Sequence, residues 1–79
     1  MKAKVFISLK NGVLDPQGTA TQGALGNLGF KGVKNVRIGK MIEVELDEKD
    51  KKKAAKTLDN MCTKLLANTV VENYRVEVE

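Results

Sequence analysis

Alternating hydrophobic and polar positions open the chain. Ala3, Val5, Ile7 and Leu9 point one way, Lys2, Lys4, Ser8 and Lys10 the other, and Phe6 is the one apolar residue on the second face. This period of two predicts a half-buried strand over Lys2–Leu9. Asn11-Gly12 loosens the chain, and Asp15-Pro16 then predicts a helix start. Asp15 offers a carboxylate to the open N–H groups of the first turn, and Pro16 suits the first helical position. The helix is expected to run to about Leu28, with Ala20, Ala24, Leu25 and Leu28 on an inner stripe. Gly18, Gly23 and Gly26 each weaken it by up to ~1 kcal/mol relative to alanine, so packing has to hold it. Gly29 is suited to turn left-handed at its end, with Phe30 folding back on Leu25.

Val33 to Leu46 reads as a hairpin. Val36 and Ile38 alternate on one arm, Ile42, Val44 and Leu46 on the other, with the turn at Gly39-Lys40. Asp47 is the expected cap of a long second helix, with Asp50 completing an approximate capping box. Its apolar stripe is Ala54, Ala55, Leu58, Met61, Cys62, Leu65 and Leu66. Asn68 stops that helix, and Val70 to Val78 alternates again as a last strand. The order β-α-β-β-α-β predicts an α+β two-layer sandwich of ferredoxin-like type: a four-stranded sheet with both helices on one face, residues 1–79 forming one domain. The open sheet face, tinged by Phe6, suggests a dimer or a partner surface.

Size sharpens that expectation. A chain of 79 residues buries only roughly 60% of its unfolded surface, so burial against a partner would help it. At 42% hydrophobic and 30% charged residues, it falls among globular proteins and outside the disordered class. No apolar run approaches the ~20 residues of a membrane span. The N-terminus leads straight into alternation, so no signal peptide is read there, and a cytoplasmic location is expected. The single cysteine, Cys62, fits a reducing compartment.

The chemistry available on the chain is sparse. There is no histidine, which removes the commonest general base and metal ligand together and excludes His-dependent triads and Cys/His zinc sites. Cys62 sits mid-stripe between Leu58 and Leu65, where a thiol behaves as a small hydrophobe. The loop Leu14-Asp15-Pro16-Gln17-Gly18 leads into a helix N-terminus that could bind an anion or simply be a capped start, and the phosphate-loop pattern is missing. Lys49, Lys51, Lys52, Lys53 and Lys56 form a basic run at the wrong end of a helix for its dipole. Nucleic acid would suit them, yet Phe6, Phe30 and Tyr74 are the only aromatics, too few for a base-stacking sheet, and a solvated helix face suits them better. Arg37, Lys40 and Arg75 could grip a phosphate or carboxylate, or pair with Glu43, Glu45, Glu72 or Glu77 across the sheet.

Several stretches together resemble one family. They are Val13-Leu14-Asp15-Pro16-Gln17-Gly18, Leu25 through Leu28-Gly29-Phe30, Val36-Arg37-Ile38-Gly39-Lys40, and Met61-Cys62 followed by Lys64-Leu65-Leu66-Ala67-Asn68, then Val71-Glu72 and Tyr74. In this order and spacing they are similar to the PurS family, over nearly the whole chain. Thr69 stands where proline would also fit, and the Lys51–Lys53 cluster is not something the family pattern requires. The resemblance implies a subunit of the ligase phosphoribosylformylglycinamidine synthase in purine biosynthesis. There the amide oxygen of formylglycinamide ribonucleotide is replaced by glutamine nitrogen at the expense of ATP.

It further implies no catalytic residue and no metal on this chain. ATP and Mg belong to a PurL-type synthetase partner, glutamine hydrolysis to a PurQ-type glutaminase partner, and the small chain bridges them and helps ammonia pass. Self-association as a dimer or tetramer is implied, with neither nucleic acid nor membrane as partner. The residues expected to face partners are Asp15, Pro16, Gln17, Gly18, Arg37, Gly39, Lys40, Asn68 and Tyr74. Charge reversal at Arg37 is expected to weaken assembly and leave the chain folded. The competing reading is a small-molecule-binding regulatory module of the same fold, served by Gly12 and the Leu14–Gly18 loop. A nucleic-acid module and an acylphosphatase-like enzyme follow behind it.

Overall fold

Strand β1 (Lys2–Leu9) is the centre of a three-stranded antiparallel sheet in the computed structural model, which describes residues 1–79. It is flanked by β2 (Lys40–Glu45) and β3 (Glu72–Val78), giving the order β2-β1-β3. Helix α1 spans Pro16–Asn27, and α2 spans Lys51–Met61 and runs on into a π-helical turn, Cys62–Leu66.

Register explains which face is buried. Val5 stands between Ile42 and Val76, and Ala3 between Val44 and Val78. These inward residues meet Leu58 of α2 and Cys62 and Ala67 just beyond it, and the core is small: only Leu58, Val5 and Cys62 are fully buried side chains of any size. On the outer face the register sets Lys2 beside Glu45, Lys4 between Glu43 and Glu77, and Phe6 between Met41 and Arg75. Opposite charges facing across strands favour this register. The Arg75 guanidinium lies 4.4 Å from the Phe6 ring centroid and pairs with Glu77 on its own strand. That face is therefore a charge ladder with one apolar step, not an apolar sheet.

Three expectations are corrected. The sheet has three strands, because Val33–Ile38 does not pair; it leads straight into β2 with no turn at Gly39-Lys40. The Ile38 N–H, which a hairpin ladder would need, is taken by a carboxylate of the β1–α1 loop. Second, α1 does not pack on the sheet. Ala20, Ala24 and Leu28 are exposed and only Gly18 is buried, since alanines and glycines leave the helix no stripe large enough to dock. It ends as expected, with Gly29 at φ +94 and the paired bonds Phe30 N–H to Leu25 C=O and Gly29 N–H to Gly26 C=O.

Third, the second helix is capped by Asp50, whose carboxylate accepts from Lys52 N–H at 2.9 Å, not by Asp47. It also leaves α-geometry after Met61. The π turn closes with Ala67 N–H donating to Cys62 C=O at 3.0 Å. One extra residue in the turn rotates the stripe, so Ala67 enters the core and Leu65 swings out to 84% exposure.

The molecule measures 48 × 24 × 15 Å, with a radius of gyration of 15.9 Å. A compact chain of this length would have about 12 Å. Its accessible surface is 6063 Å², some 1,300 Å² above the roughly 4,700 Å² of a compact monomer of its mass. Leu14, Leu28, Phe30, Leu65 and Val70 are large apolar side chains in that surplus.

Candidate functional site

Of the nine residues expected to face partners, seven meet at one end of the sheet. Asp15, Pro16 and Gln17 from the start of α1, and Gly39 and Lys40 from the entry to β2, line one open groove with Ile7, Ser8, Leu9, Ile38 and Glu72. Gly18 and Arg37 flank it. The geometry is that of a clasp. One Asp15 oxygen accepts from Gly18 N–H at 2.9 Å and caps α1; the other accepts from Ile38 N–H at 2.7 Å, twenty-three residues away. Arg37 completes it from the other strand of chain, donating to Val13 C=O at 3.0 Å, Lys10 C=O at 3.2 Å and, more weakly, Leu9 C=O at 3.5 Å.

Two close backbone approaches require glycine. A Cβ on Gly18 would sit 2.2 Å from the Val36 carbonyl oxygen, and one on Gly39 would sit 2.6 Å from that of Ile7. The motif pair Asp-Pro-Gln-Gly and Arg-Ile-Gly-Lys thus holds the chain together across the β1 end. Both halves are legible in sequence as motifs; that they lock onto each other is not, because the lock runs through the main chain of Val36 and Ile38.

This changes the expectation for Arg37. Its guanidinium donates to carbonyls at the end of β1 and in the loop after it and is no free cation, so reversing its charge would loosen the 36–38 segment itself. Asn68 and Tyr74 lie outside the clasp. Asn68 forms a turn, its side chain accepting from Val70 N–H at 3.2 Å while its own N–H donates to Glu72. The Tyr74 hydroxyl donates to Asp59 of α2, tying β3 to the helix, and that bond chiefly holds the phenol above its usual range. Burial pushes the Cys62 thiol up, with the Asp59 charge adding to it, which keeps it protonated and inert.

Asp15 is 7% exposed and its carboxyl is held below its ordinary 3.8 by the Ile38 N–H first and the Gly18 N–H second, with Arg37 adding a smaller attraction, against the opposing effect of burial. A carboxyl lowered on folding contributes stability that is complete above 3.8 and is lost as pH falls below it towards the folded value. The thermal midpoint should therefore fall more steeply as the pH drops below 3.8 in the native chain than in Asp15→Asn. Parallel acid profiles would remove the clasp's electrostatic role.

With this geometry in place, comparisons with known proteins add identity. The family model described as "PurS: Phosphoribosylformylglycinamidine (FGAM) synthase" matches residues 2–79. The phosphoribosylformylglycinamidine synthase subunit PurS of Synechocystis is 51% identical over 75 residues, 95% of this chain and 75% of that one. Among solved structures, PurS of Methanocaldococcus jannaschii, described as one of the subunits of formylglycinamide ribonucleotide amidotransferase, superposes with a TM-score of 0.89 at 46% identity, covering 99% and 94% of the two chains. A chain of the PurLQS structure from Thermotoga maritima gives 0.87 at 33%, covering 96% and 93%.

Proposed function

Because this chain belongs to the PurS family of phosphoribosylformylglycinamidine synthase, we propose that it works as the assembly subunit of that purine-biosynthetic enzyme, joining a PurL-type synthetase to a PurQ-type glutaminase. In this reading it holds the two in a register that keeps water off the path ammonia takes between them. ATP and magnesium belong to the synthetase. The N–H groups at the start of α1 are already taken by the Asp15 carboxylate, whose charge repels phosphate.

The observation that carries the reading is the uncovered surface. A standard interface takes about 800 Å² from each partner, and this chain holds more than that in excess of a compact monomer. Exposed apolar residues stand in several places on it: Leu28 and Phe30 at the end of α1, Leu14 beside Asp15, and Leu65 and Val70 in and after the π turn. Both outer sheet edges, on β2 and β3, are also unpaired. Part of this surface goes to copies of the same chain as a dimer or tetramer, and part to the larger subunits. A cytoplasmic setting accords with the reduced Cys62, and no helix is long and apolar enough to cross a membrane.

The test is glutamine-dependent formation of the amidine product by the two larger subunits, with and without this chain. Activity that appears only on its addition is the expected result. Equal activity without it would contradict the reading.

A further inference from the structure

The net charge of the molecule is concentrated in one short stretch. The chain carries 14 Lys and Arg against 10 Asp and Glu, a formal +4. Between residues 49 and 56, Lys49, Lys51, Lys52, Lys53 and Lys56 stand against Asp50 alone, five charges to one, so everything outside that stretch is formally neutral. All five lysines are exposed. None is in an ion pair; the one salt bridge of the chain joins Arg75 to Glu77 on the other side of the sheet. Two carboxylates beside them are committed to the main chain, Glu48 accepting from the N–H groups of Lys49 and Asp50, and Asp50 from that of Lys52.

The isolated chain gains nothing from this arrangement. Lys51, Lys52 and Lys53 occupy the first turn of α2, the positive end of its dipole, and Lys52 and Lys56 repel one another a turn apart. Buried Ala54 and Leu58 hold the opposite side of the helix on the core, so the lysines project from the face that the sheet does not cover. Nucleic acid fits this face poorly. No aromatic side chain adjoins it: Phe6 lies on the outer sheet face under Arg75, Tyr74 is bonded to Asp59, and Phe30 follows α1. Six helical residues span only about 9 Å, enough for a few phosphates of a duplex.

We infer that the 49–56 face of α2 docks on a carboxylate-rich surface of one of the larger subunits, with the concentrated charge acting chiefly to speed encounter. This rests on the assembly role proposed above. Charge of one sign gathered on one face of an otherwise neutral molecule orients it in the field of an acidic partner, and such steering acts on association rate more than on dissociation.

The experiment compares the full chain with its K51Q/K52Q/K53Q/K56Q variant. Glutamine keeps the helix propensity of lysine, and a thermal melt checks that the variant is folded. Association with the purified larger subunits is timed from about 0.01 M to about 0.1 M salt, over which the Debye length shrinks from ~30 to ~10 Å. The native chain should bind roughly tenfold faster at the low end than at the high end, and the variant should be roughly tenfold slower at low salt and nearly indifferent to salt. Equal association rates with equal salt dependence would overturn the inference. So would lysine-dependent binding to duplex RNA together with unchanged rates on the protein subunits. If the native chain binds neither subunit at any salt, it is the assembly role itself that fails.

Discussion

Leu58→Ala is expected to cost this chain about 2–5 kcal/mol. Leu58 is fully buried at the centre of the contact between α2 and the sheet, and only Val5 and Cys62 share that condition among sizeable side chains. So thin a core has no spare layer to close over the cavity. A domain of this length has roughly 4–12 kcal/mol in total, so the thermal midpoint should fall by at least about 10 °C. Leu65→Ala is the matched control. A straight α-helix would put Leu65 on the same stripe as Leu58, but the π turn at Cys62–Leu66 turns it out to solvent, and in the isolated chain its truncation should be nearly neutral. Equal losses at the two positions would show that Leu65 belongs to the core and that the helix runs straight through Cys62–Leu66.

Gly18→Ala should destabilise, against the usual sign for glycine in a helix. Within α1 the exchange ordinarily gains up to ~1 kcal/mol. At Gly18 the new methyl would lie 2.2 Å from the Val36 carbonyl oxygen, a backbone atom that moves only if the 36–38 segment moves with it. The shift would stretch the Ile38 N–H to Asp15 bond and the Arg37 ties, opening the clasp at a cost of about 1–3 kcal/mol, as for other overpacked sites. Gly23 lies in the same helix with open space around it, so Gly23→Ala should stabilise. A pair of urea melts decides the matter: opposite signs support the clasp, and stabilisation by both substitutions would refute it.

Local chemistry was legible in the chain. The alternation of Ala3, Val5 and Ile7 marked β1, Asp15-Pro16 marked the start of α1, and Gly29 its end. The stripe from Ala54 to Cys62 placed α2 on the core. What failed was the placement of particular segments. Val33–Ile38 alternates like a strand, but Asp15 and Arg37 capture it before it can pair. Leu65 obeys the helical period until one extra residue in the turn displaces it. The stripe expected on α1, Ala20, Ala24, Leu25 and Leu28, sits in a helix with almost no apolar side and buries too little to bring it down on the sheet.

The motif residues show the same division. The spacing of Leu14-Asp15-Pro16-Gln17-Gly18 and Arg37-Ile38-Gly39-Lys40 marked them as a set. Together they tie the 36–38 segment to the start of α1, through carbonyl and amide positions that side-chain identities do not display. Partners would then read the shape the clasp maintains, together with the apolar residues it leaves outside, Leu14 foremost at 86% exposure.

The most direct test of the assembly role is the mass of the species this chain enters. Light scattering on a mixture with the synthetase and glutaminase subunits, supplied with glutamine and ATP, should give one peak containing all three proteins, the small chain present in more than one copy. An 8.7 kDa species running apart from both larger subunits would contradict the account.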